Sequence, residues 1–235
     1  MLSIENLSKS YGSQRVMKKV SLKIDSEIRV VLGLNGSGKS TMLKVVAGIL
    51  KGDEGNILVD GRDITGLPPE DRHVGYVPQQ SSLFKHMNVR DNIGYCLRNG
   101  RGGEADIEQL IEMLSLEEVL DKEPDTLSGG FQSRVSLART LASQPRVMLM
   151  DEPLSDLDLA IKERLIPEFK KVLKTLRVPV IYVTHDLTEA ELLGDCFSCM
   201  IEGVLSDADS AESAFALIRE SILKKDSQIQ RSLFY

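Results

Sequence analysis

A chain of 235 residues, 42% hydrophobic and 27% charged, is sized for one large domain or a domain with a sizeable insert, and it can bury an ordinary globular core. The formal net charge of −6, from 35 acidic against 29 basic residues, argues against a broad nucleic-acid surface, which needs cations to displace counterions. No apolar run approaches the ~20 residues that span a bilayer, so any membrane role is expected to come through a partner.

The N-terminal third alternates like strands in LSIENLSKSY, RVMKKVSLKI and NILVDGRDI, with turn residues such as Tyr11-Gly12-Ser13 between them. Between the last two lies a different unit: IRVVLGL is a short apolar strand, NGSGKS a glycine-rich turn, and TMLKVVAGIL a helix by its apolar spacing. Gly33-Leu34-Asn35-Gly36-Ser37-Gly38-Lys39-Ser40 satisfies GxxxxGK(S/T) in the strand–turn–helix context that gives the motif its meaning. The glycines let the backbone turn its N–H groups around phosphate oxygens, and the helix beginning near Lys39 adds its positive end. Lys39 can reach the β- and γ-phosphates, and the Ser40 hydroxyl can ligate Mg²⁺. This is a nucleoside triphosphate site.

From about residue 80 to 145 the texture is helical. Asn88 can cap NVRDNIGYCLRNG, glycines punctuate the chain, and EADIEQLIEMLSL has helical spacing. LSGGFQSRVSLARTL then supplies Ser128 as a possible cap, followed by Gly129 and Gly130 and a helical apolar pattern. An ordinary capped helix is one reading. Capping does not ask for paired glycines, however, and they make sense where an anion must approach the backbone closely. One chain offers no second nucleotide loop for that turn to serve. A twofold dimer, in which each protomer's turn covers the γ-phosphate of the other, resolves this.

RVMLMDE ends an apolar strand in two carboxylates whose side chains point to opposite sides. Asp151 is assigned to the metal and Glu152 to general base; the alternative is a pair of acids opening a helix before Pro153. After the helix IKERLIPEFKKVLKTL, the strand VPVIYVTH is expected to end at His185. That residue is either structural or, at the sheet edge where α/β ligand sites lie, in contact with the γ-phosphate or the attacking water. The continuous apolar runs imply parallel strands buried on both faces. Cys96, Cys196 and Cys199, with no signal peptide, point to a reducing cytosol; CFSC reads as buried strand, or as a redox or metal pair. ESAFALIRESILKKD is an amphipathic helical tail.

The order GLNGSGKST, VGYVPQ, LSGG, LMDEP, LSDLD and VTHD, spanning about residues 1 to 205, resembles the ATP-binding subunit of an ABC transporter. The resemblance implies an α/β fold: a P-loop NTPase core with a RecA-like, mostly parallel sheet, an N-terminal antiparallel β subdomain and an inserted α-helical subdomain. Within one domain, 1–79 and 146–206 would form the core and β subdomain, 80–145 the helical subdomain, and 207–235 the tail. ATP would be held by Gly33 through Thr41, with Ser37 among the loop residues. Tyr11, which read alone is strand packing, matches the aromatic that stacks on adenine. Gln79, otherwise a surface loop residue, matches the glutamine that contacts Mg²⁺ and links core to insert. Ser128, Gly129 and Gly130 would bind the opposite subunit's ATP, and Ser155, Asp156 and Asp158 would run along the dimer interface. Two departures stand out: Asp156 where alanine is more frequent, and Phe131 where glutamine is usual.

GRDITGLPPEDRHVGYVPQQSSLFKHMNVRDNI resembles importer ATPases for inorganic anions, and LDKEPDT replaces the TEVGERG-type segment of exporters. The chain stops too early for the regulatory domain many such subunits carry, which is closest to short molybdate/tungstate types. The expectation is a homodimer using ATP and Mg²⁺, peripheral on the cytoplasmic face of a prokaryotic membrane, docked on integral-membrane permease subunits and indirectly served by an extracytoplasmic solute-binding protein. No direct nucleic acid partner is expected. The alternatives are an exporter-type ATPase, or a soluble ABC ATPase acting on DNA or ribosomes; the latter usually carry a long coiled coil or tandem ATP domains.

Overall fold

The computed structural model describes residues 1–232, with side chains as far as residue 225. The end of the expected tail, 233–235, lies outside the described residues. The chain begins with β1 (Leu2–Tyr11), β2 (Gln14–Ile24), β3 (Ile28–Leu32), α1 (Lys39–Val46), β4 (Glu54–Val59), β5 (Arg62–Asp63) and β6 (Val74–Val77). Next come α2 (Val89–Ile93), α3 (Glu104–Met113) and α4 (Gly129–Ala142), with a 3₁₀ turn, Gly94–Asn99, between the first two. The last stretch holds β7 (Val147–Asp151), α5 (Leu159–Leu176), β8 (Val180–Thr184), α6 (Leu187–Leu193), β9 (Cys196–Ile201), β10 (Val204–Ala208) and α7 (Ala211–Ser232). No helix among the described residues is long and apolar enough to cross a membrane.

Two sheets result. The first is antiparallel, in the order β2-β1-β4-β5, and the second runs β10-β9-β3-β8-β7-β6. In the second, β9, β3, β8, β7 and β6 are parallel and only β10 is antiparallel, to β9. The β6 strand, VGYV, is one that the sequence pattern does not announce between NILVDGRDI and the helical stretch. β8 ends one residue earlier than expected, so His185 is the first residue beyond the strand.

The central strands are buried on both faces, and their period-two alternation divides the interior into two cores. Ile28, Val30 and Leu32 of β3, Met148 and Met150 of β7, and Val180 and Tyr182 of β8 join the core that includes helices α2 to α7. The intervening Val31, Val147, Leu149, Ile181 and Val183 pack with α1 and the antiparallel sheet. Registers align the carboxyl ends: Leu32 pairs Thr184, and Asp151 pairs Val183. The segments that follow Leu32, Asp151 and Thr184 therefore leave the sheet at one level, which is the crevice where open α/β sheets bind ligands.

Local chemistry fixes the ends. Arg72, 6% exposed, gives Nη1 to the carbonyls of Val45 (2.9 Å) and Val46 (3.0 Å), placing a cationic donor at the end of α1. Asn88 caps α2 as expected, its Oδ1 accepting from Asp91 N at 2.8 Å. Beside it the fully buried Asn92 bonds Phe84 through both main-chain groups, so the entry to the helical insert is stitched shut.

Candidate nucleotide site

The loop after β3 turns through Gly36 (φ 79°) and Gly38 (φ 108°), the left-handed region that glycine enters without steric cost. A Cβ on Gly38 would stand 2.7 Å from the Val16 carbonyl, so β2 backs closely onto the loop. From the outside, Gly203 N donates to Ser37 O at 3.0 Å. Within the loop, the Ser37 hydroxyl is buried with no hydrogen-bond partner among the described residues. The N–H groups of Gly36 and Gly38 likewise donate to nothing among them. Unspent donors beside the N-terminus of α1, whose cap Gly38 offers no side chain, fit an anionic oxygen ligand.

Lys39 is 4% exposed and gives Nζ to Gly33 O (2.7 Å) and Leu34 O (3.0 Å), with Glu152 Oε1 at 3.4 Å. Burial pulls its pKa below the usual amine value, and the charges of Glu152 and Asp151 push back. Glu152 follows β7 with φ 47°, an uncommon conformation for a side-chain-bearing residue, and its N–H is anchored to Val183 O at 3.0 Å. The two carboxylates have different neighbours: Glu152 lies between Lys39 and His185, and Asp151 between Ser40 and Tyr76. Glu152 Oε2 lies 2.7 Å from His185 Nδ1, and the histidine side chain is 49% exposed.

The loop carrying His185 is braced by a buried network that no local motif announces. Glu189, 1% exposed, accepts from Tyr182 (2.9 Å) and Thr184 (2.8 Å) and pairs with Lys162 Nζ at 2.7 Å. Burial alone would lower the Lys162 pKa; hydrogen bonds and charge from Glu189 and Asp186 outweigh it and raise it. Asp186 caps α6 through Thr188 N and Glu189 N.

The Asp151 carboxylate, 3% exposed, is taken on both oxygens: Ser40 Oγ donates to Oδ1 at 2.8 Å and Tyr76 Oη to Oδ2 at 3.0 Å. Burial, then the neighbouring Asp151, pushes the Tyr76 phenol well above its usual pKa, so it remains a donor. A hydroxyl and a carboxylate are hard oxygen donors, which fit Mg²⁺. Among the described residues no three His, Cys, Asp or Glu side chains gather as a self-sufficient metal cage, and a Mg²⁺ site shared with phosphates does not need one.

Other expected site residues lie apart from this pair. Gln79 gives Nε2 to Ser155 Oγ at 3.3 Å and makes no bond to Ser40 or Asp151. Gln79, Gly129, Gln132, Asp156 and Leu157 line one cleft between insert and core. Ser128 occupies the N-cap position of α4, but its side chain makes no cap hydrogen bond, which corrects the capping expectation. A Cβ on Gly129 would come within 2.8 Å of Leu157 Cδ2, so the first glycine also makes room inside its own chain. Tyr11 is 49% exposed at the end of β1, with Lys9 Nζ 5.9 Å from the ring, so the strand-packing reading fails. Asn35, Gly36, Asp156 and Asp158 are exposed, and Thr41 is half-buried on α1. Cys199 is buried in β9 and Cys196 half-buried, with both thiols pushed up by burial.

A parallel sheet that delivers a glycine loop, a lysine and two acids to one edge is built as a nucleoside triphosphatase of the phosphate-loop class. Within that class the chain belongs to the ABC transporter family, whose model matches residues 17–155. It is 43% identical over 229 residues to the molybdate/tungstate import ATP-binding protein of Methanocaldococcus jannaschii, covering 96% of this chain and 73% of that one. It is 36% identical over 220 residues to the spermidine/putrescine import ATP-binding protein of Aggregatibacter actinomycetemcomitans, where it spans 92% of its own length and 59% of the relative's. Among solved structures it superposes with a TM-score of 0.79 and 28% identity on a dimeric ATP-binding cassette in a post-hydrolysis state bound to ADP and Pi, covering 90% of this chain and 99% of that one. The α/β fold, with its antiparallel N-terminal sheet and helical insert, is that of an ABC ATPase.

Proposed function

We propose that this chain is the ATP-hydrolysing motor subunit of an ABC importer, acting as a homodimer around two ATP to drive a separate membrane permease. It would sit peripherally on the cytoplasmic face of the membrane and meet a solute-binding protein only through the permease. The observation that carries the reading is the convergence of Lys39, Glu152 and His185 beside Ser40 and Asp151 at one sheet edge. This chain's site is built for a nucleotide and does not encode a cargo; a small inorganic oxyanion is the reading that agrees with the molybdate/tungstate relative, at 43% identity, over the spermidine/putrescine relative, at 36%.

In this mechanism the loop N–H groups and Lys39 would hold the β- and γ-phosphates, Tyr11 would supply an exposed ring for the base, and Ser40 and Asp151, with Gln79 after closure, would hold Mg²⁺. The cation, when bound, neutralises phosphate charge. Glu152 takes a proton from the attacking water, its carboxylate fixed by the bond to His185 Nδ1, and His185 would stand at the edge where the γ-phosphate lies. Ser128, Gly129 and Gly130 of one protomer would cover the γ-phosphate bound to the other, with Ser155, Asp156 and Asp158 along the seam. The domain division 1–79 with 146–206, 80–145 and 207–235 then separates a nucleotide-holding core from an insert that turns about Gln79. Loss of the γ-phosphate removes the bridging charge and opens the pair.

Gel filtration of Glu152→Gln with and without Mg-ATP tests this. A dimer is expected with nucleotide and a monomer without it. A monomer under both conditions refutes the sandwich.

A further inference from the structure

The functional reading leaves one well-placed group unused. Tyr76 lies on β6, the edge strand beside β7, at a register position opposite Leu149. It packs with the same core as Val147 and Leu149, on the α1 side of the sheet. From there its hydroxyl reaches the far oxygen of Asp151, while Ser40 takes the near one.

A carboxylate at the end of a strand retains rotation about its last bond unless both oxygens are tied. With only the Ser40 bond, Asp151 could swing its plane, and a ligand set shared with substrate phosphates tolerates little misplacement because Mg²⁺ demands near-octahedral geometry. A hydroxyl donor on the opposite oxygen removes that freedom. Groups that orient a metal-binding carboxylate from behind typically govern metal affinity by about 10- to 100-fold. Among the described residues Asp151 Oδ2 has no other hydrogen-bond donor, so nothing else replaces the phenol.

We infer that Tyr76 is a positioning residue for the divalent cation, fixing the Asp151 carboxylate through Oδ2 so that its other oxygen stays aligned with Ser40. The inference rests on the reading of Asp151 as a metal group, and the test separates the two. Mn²⁺ binding to the protein with one equivalent of ADP is followed by the electron paramagnetic resonance signal of free Mn²⁺. Wild type, Tyr76→Phe, Asp151→Asn and the double variant are compared. ADP affinity in EDTA and the melting temperature without metal are measured on the same samples.

Tyr76→Phe is expected to weaken Mn²⁺ binding by about tenfold while ADP affinity in EDTA stays unchanged, and to cost nothing further in the Asp151→Asn background. Tyr76→Met repeats the measurement with a side chain of similar reach and no hydroxyl. If Asp151→Asn loses Mn²⁺ but neither Tyr76 variant shifts it, the positioning role is wrong and the site reading stands. A lowered melting temperature with unaltered Mn²⁺ affinity overturns the positioning role in the same way, because packing alone would produce it. If Asp151→Asn binds Mn²⁺ as wild type does, the metal assignment of Asp151 fails, and the role of Tyr76 fails with it.

Discussion

The phosphate loop and the glycine turn at the start of α4 are both glycine-rich entries to a helix, yet their surroundings differ. Around the first, Lys39, Asp151 and Glu152 are each less than 8% exposed and each finds a partner within the chain. Around the second, Ser128 and Gly129 are exposed, and the Ser128 hydroxyl caps nothing. Burying charge costs several kcal/mol unless it is paired, so the first region has been assembled for chemistry inside one subunit. The second keeps its polar groups in water, a state that costs nothing and leaves them free for another surface. In the proposed dimer these are the two halves of one centre.

Substitutions on the two sides should therefore behave differently. The largest effect belongs to Glu152→Gln, which removes the proposed base while keeping shape; steady-state ATPase should fall by about 10²–10⁴-fold. A loss of less than fivefold would mean that Glu152 is not the base. Next is Lys39→Ala, which removes a buried cation from the loop and should weaken ATP binding by about a hundredfold, the upper range for a hydrogen bond to a charged group. Equilibrium binding of a fluorescent ATP analogue reads this directly. Lys39→Ala acts within a single subunit, so dilution should not alter its binding defect.

Ser128→Ala sharpens the contrast. If its hydroxyl serves the other subunit's phosphate, the variant monomer should bind ATP like wild type, while ATPase at high protein concentration drops about tenfold, one charge-assisted bond. A matching defect in monomer affinity would place Ser128 in its own subunit's site and undo the comparison.

The two regions also differed in how readily the sequence disclosed them. The phosphate loop is a contiguous motif whose glycines, lysine and serine act within one turn, so local spacing was enough. The acids at the end of β7 and the histidine after β8 were legible because parallel strands carry their ends to one edge. What escaped depends on which strands become neighbours. β6 is four residues long and contains a glycine, too short for its alternation to register, and the Tyr76–Asp151 bond exists only because β6 lies beside β7. The Glu189 network likewise joins α5, β8 and α6 across sequence. At the second turn, one feature of sequence misled. A serine before a helix is a good cap by preference, but the hydroxyl here is not used for that. Paired glycines suggested an outside guest, and Leu157 of the same chain gives Gly129 a second reason to lack a Cβ, one that only the fold discloses.

Phe131 supplies the smallest effect and the finest probe of the second region. Its ring packs against the helical core, with the Arg134 guanidinium 5.6 Å from its centroid, and Arg134 is held in turn by Glu168 at 2.8 Å. Those contacts lie within the chain and behind the turn, so they are independent of any phosphate bound to Ser128 and the glycine N–H groups. Phe131→Gln gives up the cation–π contact, about 0.5–1 kcal/mol, together with some buried apolar area. The melting temperature should fall by a few degrees, since about 1 kcal/mol moves a domain of this size by roughly 2–4 °C. ATPase should stay level or rise modestly, because a glutamine at this position adds a polar group at the exposed turn without disturbing the N–H groups. Complete loss of ATPase in a folded variant would place the aromatic ring itself in the dimer seam, and the turn would then be an apolar contact before it is an anion cradle.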